Sequence, residues 1–492
     1  MADYDLAIIG GGLNGVSLAR DAAGRGLRVI LIEQGDLGGA ASSASGGLVQ
    51  GDPMALERRA FRRTRKALAE RDIWLRIAPH LVLPARFVIP AHSDERPSWL
   101  LRLGLLVYDR LARSRSLPPS EVIDITHHRI GEALQRPFGV AFAYSDGAVD
   151  DTRLVIATAM DAAERGAVIR TGARCVRADR LDIWRLAVVD RGRRQVITAR
   201  SLANAAGSFA AIVAETVLRV PPPRAIPIKM GQIIVRRLFE TDNVYVLQNS
   251  DGRLIFASPY QRDFTMIGSV ARPFKGDPAA VSMAADEIAY LCNAANRYFR
   301  ERIDASDVVR SIAGVNLVAD GAGRGTAREG TVMFDARRRK APLLTVFGGD
   351  LTTARRRAER AISCLLPFYP MSPPWTAQAA LPGGDFSAEQ FDAEVERART
   401  KWKFLNPDQA LRLVSAYGSR LDAVLGDAKA RPDLGANFGP ELTEAEARYL
   451  MAKEWARFPD DILWRRSKLG LTIEPADLEH LAAFMAKAQL LP

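Results

Sequence analysis

With only three cysteines in 492 residues, the chain has little scope for cysteine chemistry. Cys175, Cys292 and Cys364 stand too far apart for a disulfide framework or a metal-ligand spacing. They read as reduced core residues, and no metal site is expected. Histidine is nearly as scarce: the five residues His80, His92, His127, His128 and His480 read as surface or packing positions. No apolar run reaches the length of about 18 residues that a membrane span needs, and the N-terminus lacks the basic flank and cleavage site of a signal peptide. A cytoplasmic location is expected. No aromatic stacking motif or recognition module accompanies the charge, which argues against nucleic acid as a partner.

What is present is a globular composition, 48% hydrophobic and 25% charged, over a length that suggests about three domains. The formal net charge is +11. Arginines cluster at Arg58-Arg59, Arg62-Arg63, Arg337 to Lys340 and Arg355 to Arg357. These clusters read as solvated basic surface. Trp99 to Ser116 interleaves Trp99, Leu100, Leu103, Leu106, Val107 and Leu111 with Arg102, Arg110, Arg113 and Arg115. Such a stripe packs on its own domain or lies as a basic amphipathic helix on a membrane surface.

The strongest signal lies at the start. An apolar run, Tyr4 to Ile9, leads into Gly10-Gly11-Gly12-Leu13-Asn14-Gly15, then a helical stretch, then Arg28 to Glu33. Strand, glycine turn, helix and a second strand ending in an acid form a dinucleotide fingerprint. Gly10 permits the tight turn, Gly12 lets the backbone approach a pyrophosphate, and Gly15 allows close helix packing, so the helix N-terminus faces the phosphates. Glu33, 18 residues after Gly15, is placed to accept from a ribose diol.

The remaining pattern fits a split cofactor domain. Gly24 to Gly26 stop the first helix, and Leu81 to Pro90 reads as strand. Val149 to Thr171 is helical and passes through Gly166 into a strand, and Ser201 to Gly207 is a strand entering a turn. Beyond Pro221 to Pro223, short strands at Gln232 to Val235, Asn243 to Leu247, Leu254 to Ala257 and Thr265 to Ile267 predict a second lobe. Pro367 to Gly384 reads as a linker, and Phe386 to Pro492 as helical. The expected class is α/β, with an FAD-binding domain at 1–80, 145–225 and 320–370. A mixed-sheet substrate domain is expected at 81–144 and 226–319, and a helical C-terminal domain at 381–492.

Across the whole chain the sequence resembles the FAD-dependent aerobic glycerol-3-phosphate dehydrogenases, a branch of the amino-acid-oxidase-like flavoproteins. The stretches that carry the resemblance include Gly10 to Gly15, Asp21 to Gly26, Asp36-Leu37, Ser42 to Ser45, Tyr144 to Asp146 and Val149 to Leu154. Later in the chain they are Leu247 to Asn249, Ile267-Gly268, Phe274 to Pro278, Phe347 to Gly349, Leu351 to Thr353 and Leu463 to Arg466. The resemblance implies FAD in a Rossmann-like domain, a sheet-based substrate domain and a helical C-terminal domain. It implies a small-molecule substrate, a quinone or other electron acceptor, and a peripheral contact with the inner membrane; a homodimer is compatible with it. Gly10, Gly12, Gly15, Glu33, Ser42, Ser43 and Gly207 fall on the family's cofactor positions. Gly348, Gly349, Leu351 and Thr352 fall on the loop whose backbone amides face the flavin's pyrimidine end.

The substrate side departs from the family. Gly47, Gln50, Met54 and Ala55 replace its Lys, His and Arg-Tyr, and Gln232 replaces a His. Val270-Ala271 replace Thr-Asp, Asn316 an Arg, Asp350 a Lys, and Ala354 a Tyr. Arg253 and Arg328 are retained and are candidate donors to the substrate. A phosphate monoester carries close to two negative charges, and holding it away from water requires several fixed cationic donors. Asp350 beside the flavin would repel such a dianion and disfavour anionic reduced flavin. Efficient oxidation of glycerol 3-phosphate is therefore not expected. The leading expectation is an FAD-dependent dehydrogenase that transfers hydride from the alcohol carbon of a polyol or polyol phosphate to flavin, in a pocket retuned to an uncharged, weakly charged or cationic substrate such as a polyol derivative or an amine, with Asp350 as base or counter-ion. The alternative is an FAD-binding homologue that has lost catalysis and acts as a scaffold. Asp52 reads as a turn residue before Pro53.

Overall fold

The computed structural model describes residues 2–53, 56, 59–91, 98–112, 117–135, 139–321, 328–337 and 339–490. The run Tyr4–Ile9 becomes a central parallel strand, buried on both faces, as a continuous apolar run requires. It lies between Arg193–Asn204 and Val29–Glu33, and Val168–Thr171, Leu343–Phe347 and Thr331–Asp335 extend the sheet on either side. Alternate side chains serve opposite layers. Leu6, Ile8, Val29 and Leu31 pack under helices Leu13–Gly24, Asp151–Glu164 and Ala354–Ser363, whereas Ala7, Ile9, Ile30 and Ile32 pack under Cys175, Trp184, Leu186 and Val188.

The second sheet runs in the order Val308–Ala319, Ala225–Arg236, Phe264–Pro273, Leu254–Tyr260, Val244–Gln248, Val82–Pro90, Val140–Val149 and Leu48–Val49. It is mixed, because Val244–Gln248 pairs parallel with Val82–Pro90 while its other pairs are antiparallel. One face, with Ile233, Val235, Tyr245, Ile255 and Ile267, is covered by Leu291, Cys292 and Ala295 of helix Ala285–Asn296. From the opposite face Gln232 reaches across to Ala44 in the loop that follows Glu33. That contact brings the two sheets together.

The C-terminal region is helical, as expected, with one addition: Asn437–Phe438 and Leu442–Thr443 form a small antiparallel ribbon. Helix Ser98–Leu111 occupies the basic amphipathic stretch and buries Leu101, Leu105 and Tyr108, leaving Trp99, Leu100, Leu103 and Leu106 exposed. Arg113 and Arg115 lie outside the described residues, as do Arg58, His92 and Arg338. The reading of Arg355 to Arg357 as solvated surface is corrected. Arg355 is buried in a bidentate pair with Glu70, at 2.7 and 2.9 Å, and Arg357 is buried too, because their helix lies between the core and a second loop layer.

His80 is a packing residue at the junction with the C-terminal region, and a Cβ at Gly383 would lie 3.0 Å from its Nε2. Burial depresses its pKa to about 3, with Arg153 adding to the effect. The unfolded chain, with an ordinary histidine pKa of about 6.5, therefore takes up the proton first, and stability falls as pH falls from about 6.5 towards 3. Urea unfolding at pH 7 and pH 5 should differ by about 2 kcal/mol from this group alone. His80→Gln should remove that share of the slope; an unchanged slope would refute the assignment.

Candidate active site

The fingerprint turn is closed by backbone contacts that tolerate only glycine. Gly10 has φ +111°, and a Cβ there would lie 2.5 Å from the Ala205 carbonyl oxygen. A Cβ on Gly15 would lie 1.9 Å from the Gly10 carbonyl oxygen. On the open side the steric constraint relaxes: a Cβ at Gly12 would meet only Ser42 Oγ at 3.1 Å, and at Gly207 the backbone φ of +55°, not a neighbouring atom, calls for glycine. Ser42 Oγ accepts from Leu13 N–H at 3.0 Å, fixing the first turn of the helix, while Ser43 Oγ donates to Ala40 O within its own turn. Glu33 accepts from the Gly11 and Gly35 amides at 2.6 and 2.8 Å. Burial raises its pKa against those hydrogen bonds.

A second loop, after Leu343–Phe347, lies beside this turn. Gly348 and Gly349 both take positive φ, and Asn14 Nδ2 of the first helix donates to Gly348 O at 3.3 Å. Asn316 Nδ2 donates to Gly349 O at 3.2 Å. Leu351 packs into the core, and Thr352 Oγ1 accepts from Gln50 N–H at 3.1 Å, so their side chains hold the loop in place. Behind the loop stands Arg357. It donates to Asn14 Oδ1 at 2.8 Å, Glu329 O at 3.0 Å, Thr353 Oγ1 at 3.1 Å and Asp350 O at 3.1 Å. Burial draws its pKa down to about 10.

Next to this loop, charges alternate. Arg328 Nη1 lies 2.6 Å from Asp52 and its Nε 3.1 Å from Asp350, and Arg63 Nη2 lies 3.2 Å from Asp52. Burial works against the Arg328 charge, and Asp350 and Asp52 more than offset it, raising its pKa. Asp350 Oδ1 also accepts from Thr353 N–H at 3.1 Å and Thr353 Oγ1 at 2.8 Å, at the start of helix Ala354–Ser363. Asp52 has φ +59°, so it is a turn residue as read, but its carboxylate also joins the cluster, which that reading missed. Gln232 Nε2 donates to Ala44 O at 3.0 Å, and its buried Oε1 has no partner among the described residues. Met54 and Ala55 lie outside the described residues.

Arg253 is not part of this cluster. It extends from the hairpin end of the second sheet towards helix Ala285–Asn296, 3.5 Å from Asp251 and over the Tyr290 ring. Strand alternation sends residue 253 to the opposite side from Phe256, which packs against Phe87. Two groups escaped the sequence reading. Arg63 was counted only as surface charge. The buried set of Asp146, Arg71 and Tyr108, with Arg71 2.9 Å and Tyr108 Oη 2.6 Å from Asp146, backs the Gly51 turn next to Asp52. The Tyr144-Ser-Asp146 motif was its only trace.

Residues 5–354 match the family of FAD-dependent oxidoreductases, and residues 374–488 match the C-terminal domain of alpha-glycerophosphate oxidase. A glycerol-3-phosphate dehydrogenase of Pseudomonas aeruginosa is 42% identical over 489 residues, 98% of this chain and 95% of that protein. The chain belongs to the FAD-dependent glycerol-3-phosphate dehydrogenase family. The aerobic glycerol-3-phosphate dehydrogenase of Escherichia coli is 39% identical, covering 99% of this chain and 98% of that protein. A D-erythritol 1-phosphate dehydrogenase of Brucella abortus is 38% identical with the same coverage. The fold matches the crystal structure of a Bacillus halodurans glycerol-3-phosphate dehydrogenase complexed with FAD, with a TM-score of 0.75 over 98% of this chain and 89% of that one. The protein is thus an FAD-dependent dehydrogenase acting on CH–OH groups. The glycine cradle and its open side fit the dinucleotide, and FAD supplies the hydride acceptor when bound.

Proposed function

We propose that this family member oxidises a secondary or primary alcohol of a polyol-like substrate that carries no phosphate dianion. The observation that carries the reading is the ion-pair chain Arg63–Asp52–Arg328–Asp350. Two arginines and two aspartates cancel, so a dianion entering beside Arg328 meets no net positive charge from these four residues. Gln232 and Asn316 add neutral dipoles. The unpartnered Gln232 Oε1 calls for a donor, which a substrate hydroxyl provides. Asp350 keeps a free lone-pair direction besides its bonds to Thr353 and Arg328, and it accepts the hydroxyl proton as hydride leaves carbon. In this reading Gly10, Gly12, Gly15, Glu33, Ser42, Ser43, Gly207, Gly348, Gly349, Leu351 and Thr352 form the FAD site. The domain division is 1–80, 145–225 and 320–370 for FAD, 81–144 and 226–319 for substrate, and 381–492 for the helical domain.

Anaerobic bleaching of the bound flavin tests the substrate class. Glycerol, erythritol and an amino alcohol should reduce it roughly tenfold faster or more than glycerol 3-phosphate or erythritol 1-phosphate, the value of about one charge-assisted contact. Faster bleaching by a phosphate ester refutes the reading. Bleaching by no compound favours a scaffold.

Electrons then pass to a quinone, and helix Ser98–Leu111 docks the protein on the membrane. Among the described residues no helix is long and apolar enough to cross a membrane, but this one exposes Trp99 at 68% and Leu103 at 52% beside Arg102. Trp99→Ser with Leu103→Ser should lower binding to anionic lipid vesicles about a hundredfold or more, given about 1.5 to 3 kcal/mol for each large apolar side chain buried. Unchanged flotation with the vesicles would count against it. A homodimer is compatible with this arrangement.

A further inference from the structure

We infer that Arg357 is the fixed cation that supports negative charge on the reduced flavin, in the part that Asp350 cannot play. The inference rests on the FAD site and not on the choice of substrate.

Arg357 is buried at 5% exposure, and among the described residues no carboxylate oxygen lies within ion-pairing distance of it. Its partners are all neutral: an amide oxygen, a hydroxyl and two backbone carbonyls. Every other buried arginine of the same helix or its neighbours is paired, Arg355 with Glu70, Arg20 with Asp161 and Arg25 with Asp21. Keeping a guanidinium out of water without an anion costs several kcal/mol. A site that retains one calls for an anion to complete it.

The surrounding backbone shows where that anion belongs. In a trans peptide the carbonyl and the following N–H point opposite ways. Arg357 draws the Asp350 carbonyl inward, and Asn14 draws the Gly348 carbonyl, so the N–H groups of Leu351 and Gly349 turn away from both. Neither N–H has a protein acceptor among the described residues. They stand at the N-terminal end of helix Ala354–Ser363, on the loop matched to the family's flavin-facing loop. Arg357 thus holds outward-turned amides in place and adds its charge behind them. Asp350 pairs directly with Arg328 and reaches Arg357 only across Thr353 Oγ1, so the cation of the loop comes from the first turn of the helix. Gly349 is part of the same device, because a Cβ there would lie 2.0 Å from Arg357 Nη1.

Sulfite provides a probe that needs no substrate, because its adduct with oxidised flavin leaves the ring anionic. In Arg357→Gln holoenzyme the sulfite affinity should fall roughly tenfold or more, about the value of one charge-assisted contact. The flavin reduction potential should fall with it, and a tenfold change in the two-electron equilibrium corresponds to about 30 mV. Arg357→Lys, which keeps the charge, should recover most of both while a purely structural role would predict no such rescue. Unchanged sulfite affinity and potential in Arg357→Gln overturn the inference. Should neither variant retain FAD, the wild type decides: its photoreduced flavin must show the anionic reduced spectrum at and below neutral pH, and a neutral reduced spectrum at pH 7 overturns it. Failure of every polyol to bleach the flavin, with sulfite binding as expected, would sink only the substrate reading.

Discussion

Asp350→Lys is expected to shift specificity towards glycerol 3-phosphate by about two orders of magnitude in the ratio of kcat/KM values for the phosphate and for the best uncharged polyol. The substitution removes one repulsive charge and adds one attractive one, each worth about 1.5 kcal/mol against a phosphate in a partly dry site, or about 3 kcal/mol together. It also frees Arg328 from one of its two carboxylates. Two costs accompany the gain: both variants lose the proton acceptor, so kcat falls by about 10²- to 10⁴-fold on either substrate and only the ratio is read, and stability falls as well. Asp350 accepts from Thr353 N–H and Oγ1 at the start of helix Ala354–Ser363, and loss of such a cap removes about 1 kcal/mol of stability. Asp350→Asn separates the contributions, since it keeps most of the cap, removes the repulsion and adds no cation. Half the shift, about tenfold, is expected from it. Steady-state kinetics on both substrates measure the ratio. If Asp350→Lys leaves it unmoved, the ion-pair chain does not govern what the pocket admits.

The nucleotide turn could be read from the chain because its chemistry is local: Gly15 meets the Gly10 backbone five residues away, and Gly10 meets the backbone at Ala205, just past one neighbouring strand. The strands of the second lobe were legible for the same reason, each being a short apolar run between turns. The ion-pair chain was not. Arg63, Asp52, Arg328 and Asp350 are spread across the length of the chain, and only the fold shows that their charges cancel. Arg253 aligned well with a retained family arginine, yet sheet alternation turned it away from Asp350, and its distance from the site needed the pairing of Phe256 with Gly268 to be seen. Arg355 and Arg357 misled in the opposite sense. Three arginines in a row read as surface, but a helix buried on two sides hides those two positions and exposes only the one between. Charge in a sequence reports composition; its burial depends on what the helix packs against.

Asp36→Ala is expected to destabilise the protein by about 3 to 5 kcal/mol, the cost of leaving a buried cation unpaired. Asp36 and the Leu463-Trp-Arg-Arg466 motif stand 430 positions apart, yet Arg466 Nη2 meets Asp36 Oδ1 at 2.7 Å, and Arg466 Nη1 and Arg465 Nε both reach Oδ2. The Arg466 side chain is 0% exposed. Two stretches that looked like separate family signatures are thus the two halves of one junction between the FAD-binding sheet and the C-terminal helices. Arg153 makes a parallel junction, bidentate to Glu454 and donating to Ala416 O, one turn from Asp150, whose neighbour Asp151 accepts from Ser45 Oγ at 2.8 Å. Loosening the C-terminal region therefore reaches the loop that carries Ser42, Ser43 and Ser45. Asp36→Ala should lower the urea midpoint without changing the slope, whereas Asp36→Ala with Arg466→Met, which removes the stranded charge, should recover about half of the loss. Equal destabilisation by the single and double variants would mean that the junction depends on packing alone, and that the motif at 463–466 is there for its bulk and not for its charge.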